Sequence, residues 1–315
     1  MRIAVTGAAG FIGSQLCETL LSAGHEVVGL DSFDDFYAPE RKRRNLTAAG
    51  HDPRFWLVEG DAADQGPLTA ALEGADAVVH LAARAGVRPS FEAPEAYVGA
   101  NVVATAVLLE QMSAREIPRL IFISSSSVYG EGAESPFRED RDAGVPKSPY
   151  AATKVAGEAL CRAYSHLIPH IVALRLFSVY GPRQRPDLAI QTFAKCITTG
   201  EPIPVLGSTD SFRDYTYVED IIDGIVASLA LDRPWALLNL GSGRPITLEE
   251  MITSLERAFG RQAERRVLPA HPGDLFGTWA DTGAAEKALG YRPKWSFEQG
   301  VEGFARWFTE EELSA

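Results

Sequence analysis

The chain has 315 residues, enough for one large domain or two modest ones, and its 46% hydrophobic and 23% charged residues are typical of a globular protein. A formal net charge of −12 at pH 7 argues against general nucleic-acid binding and means that an anionic ligand would need local arginines. No signal peptide or membrane-spanning run is visible and the three cysteines lack metal-ligand spacing, so we expect a cytoplasmic protein with core thiols, no metal and no membrane partner.

The first predicted element is a short apolar strand, Arg2 to Val5, which leads through the glycine-rich turn TGAAGFIG into a helix. In such a turn Gly7 allows the tight bend, Gly10 lets the backbone approach a pyrophosphate, and Gly13 lets the helix pack on the strand. The phosphates would meet the first amides of the helix and the positive end of its dipole. The turn therefore predicts a dinucleotide site, with Gly7, Gly10, Phe11, Ile12 and Gly13 as candidate lining residues.

The second predicted strand, Glu26 to Leu30, ends in Asp31. A carboxylate at this position can accept hydrogen bonds from the adenosine ribose hydroxyls. Because it would repel a 2′-phosphate, Asp31 favours NAD over NADP. The basic run at 41–44 keeps NADP open, although we interpret that run as a solvated helix face.

Strands then alternate with helices. The strands are predicted at 55–58, 77–81, 120–123 and 171–176, and the helices at 67–73, 94–115 and 149–168. This alternation predicts an α/β fold with a doubly wound parallel sheet of the Rossmann type. Two strand ends supply further candidates for the cofactor groove, which are Asp61, Ala62, Leu81, Ala82 and Ala83.

The composition shifts after residue 180, where short elements are separated by proline and glycine. We predict a dinucleotide-binding domain over 1–180 and a smaller, mixed α/β substrate-binding region over 181–315. A helix at 218–229 could return to the sheet, so we expect the two regions to be interleaved, with a returning segment near 212–232.

Four consecutive serines, Ser124 to Ser127, end the strand at 120–123, where open α/β sheets place their ligands. Ser148 is a candidate N-cap for a helix that begins near Tyr150, and Lys154 lies four residues later on the same face. A nearby ammonium favours the phenolate form of a tyrosine and makes it a usable base. A polar loop before an ordinary amphipathic helix would give the same pattern, but the upstream dinucleotide site favours the catalytic interpretation.

These motifs resemble those of the extended short-chain dehydrogenases/reductases that modify nucleotide sugars, and most closely the UDP-glucuronate 4-epimerase family. The resemblance covers nearly the whole chain. Its motifs are TGAAGFIG, Asp31, HLAA at 80–83, AGVR at 85–88, SSSSVYG at 124–130, the Tyr150/Lys154 pair, VYGPRQRPD at 179–187, FRDYTYVED at 212–220 and LGYRP at 289–293.

The resemblance implies a UDP-sugar substrate, a bound NAD that is regenerated in each cycle, and a catalytic triad of Ser125, Tyr150 and Lys154. Tyr150 would remove the proton from the sugar 4-hydroxyl while the C4 hydride moves to NAD+, and Ser125 would hydrogen-bond the 4-oxygen. Lys154 would lower the pKa of Tyr150 and bind the nicotinamide ribose. The 4-keto sugar would then turn over and be reduced on its other face. A homodimer is implied through the helices at 94–115 and 149–168.

The serine run discriminates between reactions within this group. Related 4,6-dehydratases carry Asp and Glu at the two positions after the triad residue, and related decarboxylases keep the Glu, whereas this chain has Ser126 and Ser127. Ser126, Ser127 and Ser178, with Arg185 nearby, are expected to hold the substrate carboxylate away from the alignment that releases CO2. In the alternative interpretation these hydroxyls only satisfy strand-end backbone groups.

Three further residues are predicted to bind substrate. Arg213 aligns with the diphosphate-binding arginine of the family, although it could instead pair with Asp214 or Asp220. Arg88 and Asp274 are the other two candidates, although at least one of Arg88, Arg183 and Arg185 is expected to be a surface residue and Pro-Gly-Asp is also an ordinary turn sequence. His271 stands where many relatives carry an arginine, and we interpret it and the other histidines as surface residues.

Three competing functions remain open. The chain could be a UDP-glucose/UDP-galactose 4-epimerase or a UDP-glucuronate decarboxylase. From a different class, it could be an NAD-sensing scaffold protein on the same fold. Intact Tyr150, Lys154 and Ser125 argue against the scaffold.

Overall fold

The structure is a computed structural model that describes residues 1–141, 144–270 and 273–312. The strands of these ranges are β1 (Arg2–Thr6), β2 (Glu26–Asp31), β3 (Phe55–Glu59), β4 (Ala77–His80), β5 (Arg119–Ser125), β6 (His170–Leu176), β7 (Ser178–Tyr180), β8 (Ile203–Leu206), β9 (Phe212–Tyr217), β10 (Ala236–Leu240), β11 (Pro245–Thr247) and β12 (Arg265–Leu268). A central sheet of parallel strands has the order β10–β6–β5–β4–β1–β2–β3.

The inner strands of this sheet are apolar on both faces. All four residues of β4 are buried, and β5 is buried from Leu120 to Ser124. Such runs are typical of parallel strands that are covered by helices on both sides. The strand order reverses between β1 and β4, and open sheets bind their ligands at such a switch point. The predicted doubly wound parallel sheet is confirmed.

Helices cover both faces of the sheet. Their bounds are α1 (Phe11–Ser22), α2 (Pro39–Asn45), α3 (Thr47–Gly50), α4 (Gln65–Leu72), α5 (Pro89–Glu92), α6 (Pro94–Val98), α7 (Ala104–Ala114), α8 (Pro149–Tyr164), α9 (Ala189–Thr199), α10 (Val218–Ser228), α11 (Leu248–Phe259), α12 (Gly283–Leu289) and α13 (Phe297–Trp307). The core on one face includes side chains of α1, α10 and α12, and the core on the other includes side chains of α4, α7 and α8.

The predicted helix at 94–115 is not one regular α-helix. α6 and α7 are joined by a π-helical segment, Gly99–Val103, which contains the buried Asn101. A π-helical segment inserts an extra residue into the helical hydrogen-bond pattern and is frequent at functional sites. The apolar periodicity alone could not indicate this insertion.

The chain beyond β6 builds a second, smaller layer over the carboxyl ends of the sheet. β7, β9 and β11 form one small sheet and β8 pairs with β12. A separate apolar core packs α9, α11 and α13 together, with Phe193, Met251 and Phe304 among its buried members. β10 joins the central sheet although it lies beyond the predicted returning segment near 212–232, and the sequence analysis did not predict it. The division into regions 1–180 and 181–315 stays a prediction.

Three further expectations concern the cysteines, membrane-spanning helices and metal ligands. Cys17, Cys161 and Cys196 are buried free thiols, as predicted. Among helices of the described ranges, none has the length and apolar character needed to cross a bilayer. Within the same ranges, no group of three or more histidine, cysteine or acidic side chains is arranged to hold a metal ion.

Candidate active site

A cavity of about 1170 Å³ opens at the carboxyl ends of the central strands, between the sheet and the second layer. All of the residues that the sequence predicted for the site line this one cavity. They are Gly7, Gly10, Phe11, Ile12, Gly13, Asp31, Asp61, Ala62, Leu81, Ala82, Ala83, Arg88, Ser125, Ser126, Ser127, Tyr150, Lys154, Ser178, Arg185, Arg213 and Asp274. The structure brings these residues together, while the role of each stays a prediction.

The glycine-rich turn is shaped by backbone contacts. Gly7 has a φ of 71°, which favours glycine, and its amide donates to Leu30 O at 2.8 Å. A Cβ on Gly13 would lie 2.1 Å from Gly7 O, so no larger residue fits there without backbone movement. Phe11 and Ile12 open α1, whose N-terminus therefore faces the cavity. This cradle fits the pyrophosphate of a dinucleotide.

Asp31 is fixed by two backbone amides. Its carboxylate accepts hydrogen bonds from Ala9 N and Phe33 N, both at 2.9 Å. The Nζ atom of Lys42 lies 3.9 Å from Asp31 Oδ1, and it donates to Asp34 O at 2.9 Å. Asp31 is therefore held in place with a cation beside it, which fits a partner for ribose hydroxyls.

Lys42 corrects the interpretation of the basic run at 41–44. Lys42 is 8% exposed and lines the cavity, and Arg41 packs against Glu312 and the Trp307 ring. The expected solvated face is therefore wrong for these two residues, whereas Arg43 and Arg44 are exposed. The spacing of Lys42, Asn45 and Ala49, which are all buried, could have indicated the inner face.

Tyr150 and Ser125 lie together at the floor of the cavity. Ser148 caps α8 by accepting from Ala151 N at 3.1 Å, as predicted, and this places Tyr150 in the first turn. Burial raises the pKa of Tyr150, while a hydrogen bond with Ser125 and the charge of Arg185 lower it. The Oγ atoms of Ser125 and Ser127 lie 3.1 Å apart. The arrangement gives a half-buried phenol whose ionisation depends on nearby donors and cations.

Lys154 is buried about one helical turn after Tyr150 in α8. Its Nζ atom donates to Ile123 O at 2.8 Å and lies 5.3 Å from the centre of the Phe122 ring. Burial lowers the pKa of Lys154 to about 8, against raising effects from Cys161 and Glu158. That Lys154 lowers the pKa of Tyr150 stays a prediction, because the cation whose charge lowers that pKa is Arg185.

The serines of the run 124–127 have two different environments, a buried ion pair and the cavity lining. Ser124 donates to Glu158 Oε1 at 2.5 Å, and Arg175 holds the same carboxylate through two bonds of 2.9 and 2.8 Å. Ser124 is thus tied into a buried ion pair beneath the strand end. Ser126 and Ser127 begin a 3₁₀ turn, Ser126–Tyr129, and both line the cavity.

The arginines predicted to bind substrate already have partners within the protein. Arg88 pairs with Asp274 at 2.7 Å, and Arg185 makes a two-point pair with Asp187 at 2.9 and 2.8 Å. Both pairs line the cavity, where an anionic ligand would have to exchange with the carboxylates.

Arg213 has a different environment. Its guanidinium donates to backbone carbonyl oxygens, Leu275 O at 2.7 Å and Phe276 O at 3.1 Å, and to Phe212 O at 2.8 Å. The alternative ion pair with Asp214 or Asp220 is therefore wrong. Carbonyl partners leave the positive charge of Arg213 uncompensated, which suits an anion-binding role.

His80 corrects the expectation that the histidines lie at the surface. It is 2% exposed, Thr6 Oγ1 lies 2.7 Å from its Nδ1 atom, and Thr105 Oγ1 lies 3.2 Å from its Nε2 atom. Thr105 donates its hydroxyl hydrogen to Asn101 O at 2.6 Å, so it accepts from Nε2, and Nδ1 accepts from Thr6. Burial lowers the pKa of His80 to about 3. His271 lies outside the described residues.

The hydrogen bonds through His80 extend to a strand end that lines the cavity. Thr6 Oγ1 accepts from the amide of Ala82 at 3.2 Å, so the neutral imidazole helps fix a strand end that lines the cavity. The sequence analysis missed this role. The position of His80 at the end of an apolar strand, directly before Leu81, Ala82 and Ala83, was the available signal.

Comparison with known proteins identifies the family. The model of the NAD dependent epimerase/dehydratase family matches residues 3–241. The chain belongs to this family. A UDP-glucuronate 4-epimerase of Thermodesulfobacterium geofontis is 40% identical over 312 residues, covering 97% of this chain and 95% of that protein.

Solved structures agree with the assignment. The crystal structure of UDP-glucuronic acid 4-epimerase from Bacillus cereus, in complex with UDP-glucuronic acid and NAD, is similar with a TM-score of 0.92 and 37% identity, and the match covers 98% of this chain and 99% of that one. A dTDP-glucose 4,6-dehydratase from Streptomyces venezuelae with NAD bound reaches a TM-score of 0.93 at 32% identity, covering 100% and 98%. Because an epimerase and a dehydratase share the fold this closely, the reaction has to be argued from the side chains of the site.

Proposed function

We propose that the protein is an NAD-dependent UDP-sugar 4-epimerase that interconverts UDP-glucuronate and UDP-galacturonate. The observation that carries the proposal is the cavity floor, where Ser125 and Tyr150 meet but the next two positions are Ser126 and Ser127. Proton transfer at C5 or C6, which elimination requires, needs an acid or base there, and a serine hydroxyl supplies neither at neutral pH. The proposal is also supported by the relatives named UDP-glucuronate 4-epimerase.

The catalytic residues act on the 4-hydroxyl of the sugar. Tyr150, as phenolate, accepts the hydroxyl proton, and Ser125 orients the 4-oxygen through its hydroxyl. NAD, when bound, supplies the hydride acceptor and donor for C4. Lys154 stabilises the phenolate by its charge, and Arg185 contributes in the same direction. After the 4-keto sugar turns over, Tyr150 returns the proton to the new 4-hydroxyl.

The cofactor is held by the inner half of the cavity. We assign the pyrophosphate to the amides of the Gly7–Gly13 turn and the adenosine ribose to Asp31, with Lys42 as an additional contact. Asp61, Ala62, Leu81, Ala82 and Ala83 are assigned to its walls. A carboxylate at Asp31 disfavours a 2′-phosphate, so NAD is the preferred dinucleotide.

The substrate is held by the outer half. Arg213 and Arg88 are assigned to the diphosphate and Asp274 to the nucleotide ribose, while Ser126, Ser127 and Ser178 donate to the carboxylate, with Arg185 nearby. Loss of CO2 from the β-keto acid requires the bond to the carboxylate to align with the π system of the C4 carbonyl. Holding the carboxylate away from that alignment suppresses the loss. This carboxylate-holding role is tested by Ser127→Ala, which should raise the amount of CO2 released per turnover. An unchanged amount of CO2 per turnover would reject this role and would not affect the proposed epimerase activity.

We also propose a homodimer and a cytoplasmic location. Val98, Val103 and Val155 are large apolar side chains exposed on α6, the π-helical segment and α8, within the helical regions 94–115 and 149–168 that the family resemblance assigns to a subunit interface. Light scattering should give twice the 34.1 kDa chain mass, and a monomer at micromolar concentration would reject this interface. Unpaired buried thiols suit a reducing compartment.

The test of the activity is proton NMR of UDP-glucuronate incubated with the purified protein and no added cofactor. UDP-galacturonate is the expected product. UDP-xylose would instead identify a decarboxylase, conversion of UDP-glucose but not UDP-glucuronate would identify an epimerase of neutral sugars, and no conversion would leave only the NAD-sensing scaffold.

A further inference from the structure

Two buried side chains connect the loop at residues 84–88 to the first turn of α8. The first is Tyr97 of α6, which is 1% exposed. Its ring packs edge-on against the ring of Tyr150, with centroids 6.2 Å apart and an interplanar angle of 77°. Edge-to-face contacts of this kind favour one orientation of the partner ring. Tyr97 therefore restricts the position of the proposed catalytic base.

The hydroxyl of Tyr97 contacts the loop. It donates to Ala85 O at 3.2 Å, next to Gly86, whose φ of 123° lets the chain turn at this point. The loop then continues to Arg88, the arginine assigned to the substrate diphosphate. One side chain thus contacts both the substrate-binding loop and the catalytic ring.

Asn101, four residues after Tyr97, makes the second connection. Its Oδ1 atom accepts from Arg84 N at 2.8 Å, and its Nδ2 atom donates to Arg84 O at 3.0 Å and to Thr153 Oγ1 at 2.9 Å. Thr153 in turn donates to Tyr150 O at 2.7 Å. Asn101 fixes the backbone of the loop start and of α8, which leaves the Tyr150 ring and the middle of the loop to Tyr97.

We propose that Tyr97 is a positioning residue that couples the substrate-binding loop at 84–88 to the ring of Tyr150. The hydroxyl sets the loop, and through it Arg88, while the ring sets the orientation of the phenol that takes the proton from the sugar. Seating of the substrate diphosphate and alignment of the base thereby depend on one side chain. This inference rests on the proposed epimerase function.

Two substitutions separate the two halves of the side chain. Tyr97→Phe keeps the ring and removes the bond to Ala85 O, so we expect KM for UDP-glucuronate to rise about threefold to tenfold, the equivalent of one net hydrogen bond, with kcat within about twofold of wild type. Tyr97→Leu removes the edge-on contact, so we expect kcat to fall by at least about tenfold because the phenol loses its orientation.

Tyr291→Phe is the matched control. Tyr291 is also buried and donates to a backbone carbonyl, Gly241 O at 3.1 Å, but it lies outside the cavity lining. Tyr291→Phe should leave KM for UDP-glucuronate unchanged. Kinetics of Tyr97→Phe that match those of Tyr291→Phe, or a fall in kcat at constant KM, would overturn the proposal. If Tyr97→Leu fails to fold, Tyr97→Phe decides alone. An inactive wild type would reject the proposed function instead, so the two failures are distinguishable.

Discussion

The cofactor half and the substrate half of the cavity are formed by different kinds of groups. The cofactor half is mainly backbone, with Gly7 and Gly13 in contacts that exclude a Cβ, and with Asp31 held by two amides. The substrate half is mainly charged side chains, and Arg88 and Arg185 each hold a carboxylate of the protein. The first half is thus fixed before a ligand arrives, whereas the second has to exchange partners.

This difference predicts how each half responds to change. Substitutions in the cofactor half should affect folding and retention of NAD, because its shape belongs to the backbone of the sheet. Substitutions in the substrate half should affect KM with little effect on stability, because exposed ion pairs stabilise a fold by only about 0–1 kcal/mol. The variants below test this division.

Tyr150→Phe is expected to have the largest effect, because it removes the proton acceptor at the junction of the two halves. The rate of epimerisation should fall by about 10²–10⁴-fold, the usual contribution of a general base. Bound NAD, measured by absorbance after denaturation, should stay at the wild-type level. Activity above a tenth of wild type would show that another group accepts the proton.

Gly13→Ala should disrupt the cofactor half. The added Cβ would lie 2.1 Å from Gly7 O, so the turn has to move, and we expect a loss of about 1–3 kcal/mol in the free energy of unfolding together with loss of bound NAD. The control is Gly66→Ala, because a Cβ on this exposed helical glycine meets no atom within 4 Å. Denaturant unfolding should show Gly66→Ala equal to wild type or slightly more stable.

Arg88→Met and Asp274→Asn should change the substrate half alone. Each removes one charge of the 2.7 Å pair and weakens one proposed substrate contact, so KM for UDP-glucuronate should rise about tenfold, as expected for one charged hydrogen bond. The free energy of unfolding and the NAD content should stay near wild type, because the pair is partly exposed. Loss of NAD from either variant would contradict the division between the halves.

His80→Gln should give the smallest effect, visible in the pH dependence of stability. The pKa of His80 is lowered to about 3, so the unfolded protein, with a pKa near 6.5, binds more protons between these values, and stability falls as the pH falls below 6.5. From pH 7 to pH 6 this linkage amounts to about 0.7 kcal/mol. Denaturant unfolding should show this decrease in the free energy of unfolding for wild type but not for His80→Gln. An equal pH dependence of the free energy of unfolding in the two proteins would mean that His80 is not held neutral.

The sequence predicted the backbone-defined half well. Gly7, Gly10 and Gly13 belong to a local strand–turn–helix pattern and Asp31 ends the strand that follows it, so their spacing contains the geometry that they adopt. The central parallel strands were predicted for the same reason, since each buried run is apolar on both faces. β10 was missed, because it follows a stretch of short elements in which strand order depends on tertiary contacts.

Side-chain pairing was less predictable. Lys42 and His80 are polar side chains that are buried beside specific partners. Lys42 lies near Asp31, eleven residues earlier, and His80 bonds Thr6, 74 residues earlier. Arg213 binds carbonyl oxygens of the segment 275–276, more than sixty residues away, instead of a neighbouring aspartate. A single sequence identifies which residues can carry charge or protons, but the pairs that they form are set when distant segments meet.

The hydrogen at C4 provides the most direct test of the proposed reaction. UDP-glucuronate deuterated at C4 would be incubated with the protein and no added cofactor, and the product analysed by NMR and mass spectrometry. Because the hydrogen removed from C4 is returned to C4 of the same sugar, UDP-galacturonate should retain the deuterium. UDP-galacturonate that carries protium at C4, with the deuterium released to water, would contradict oxidation and re-reduction at that carbon.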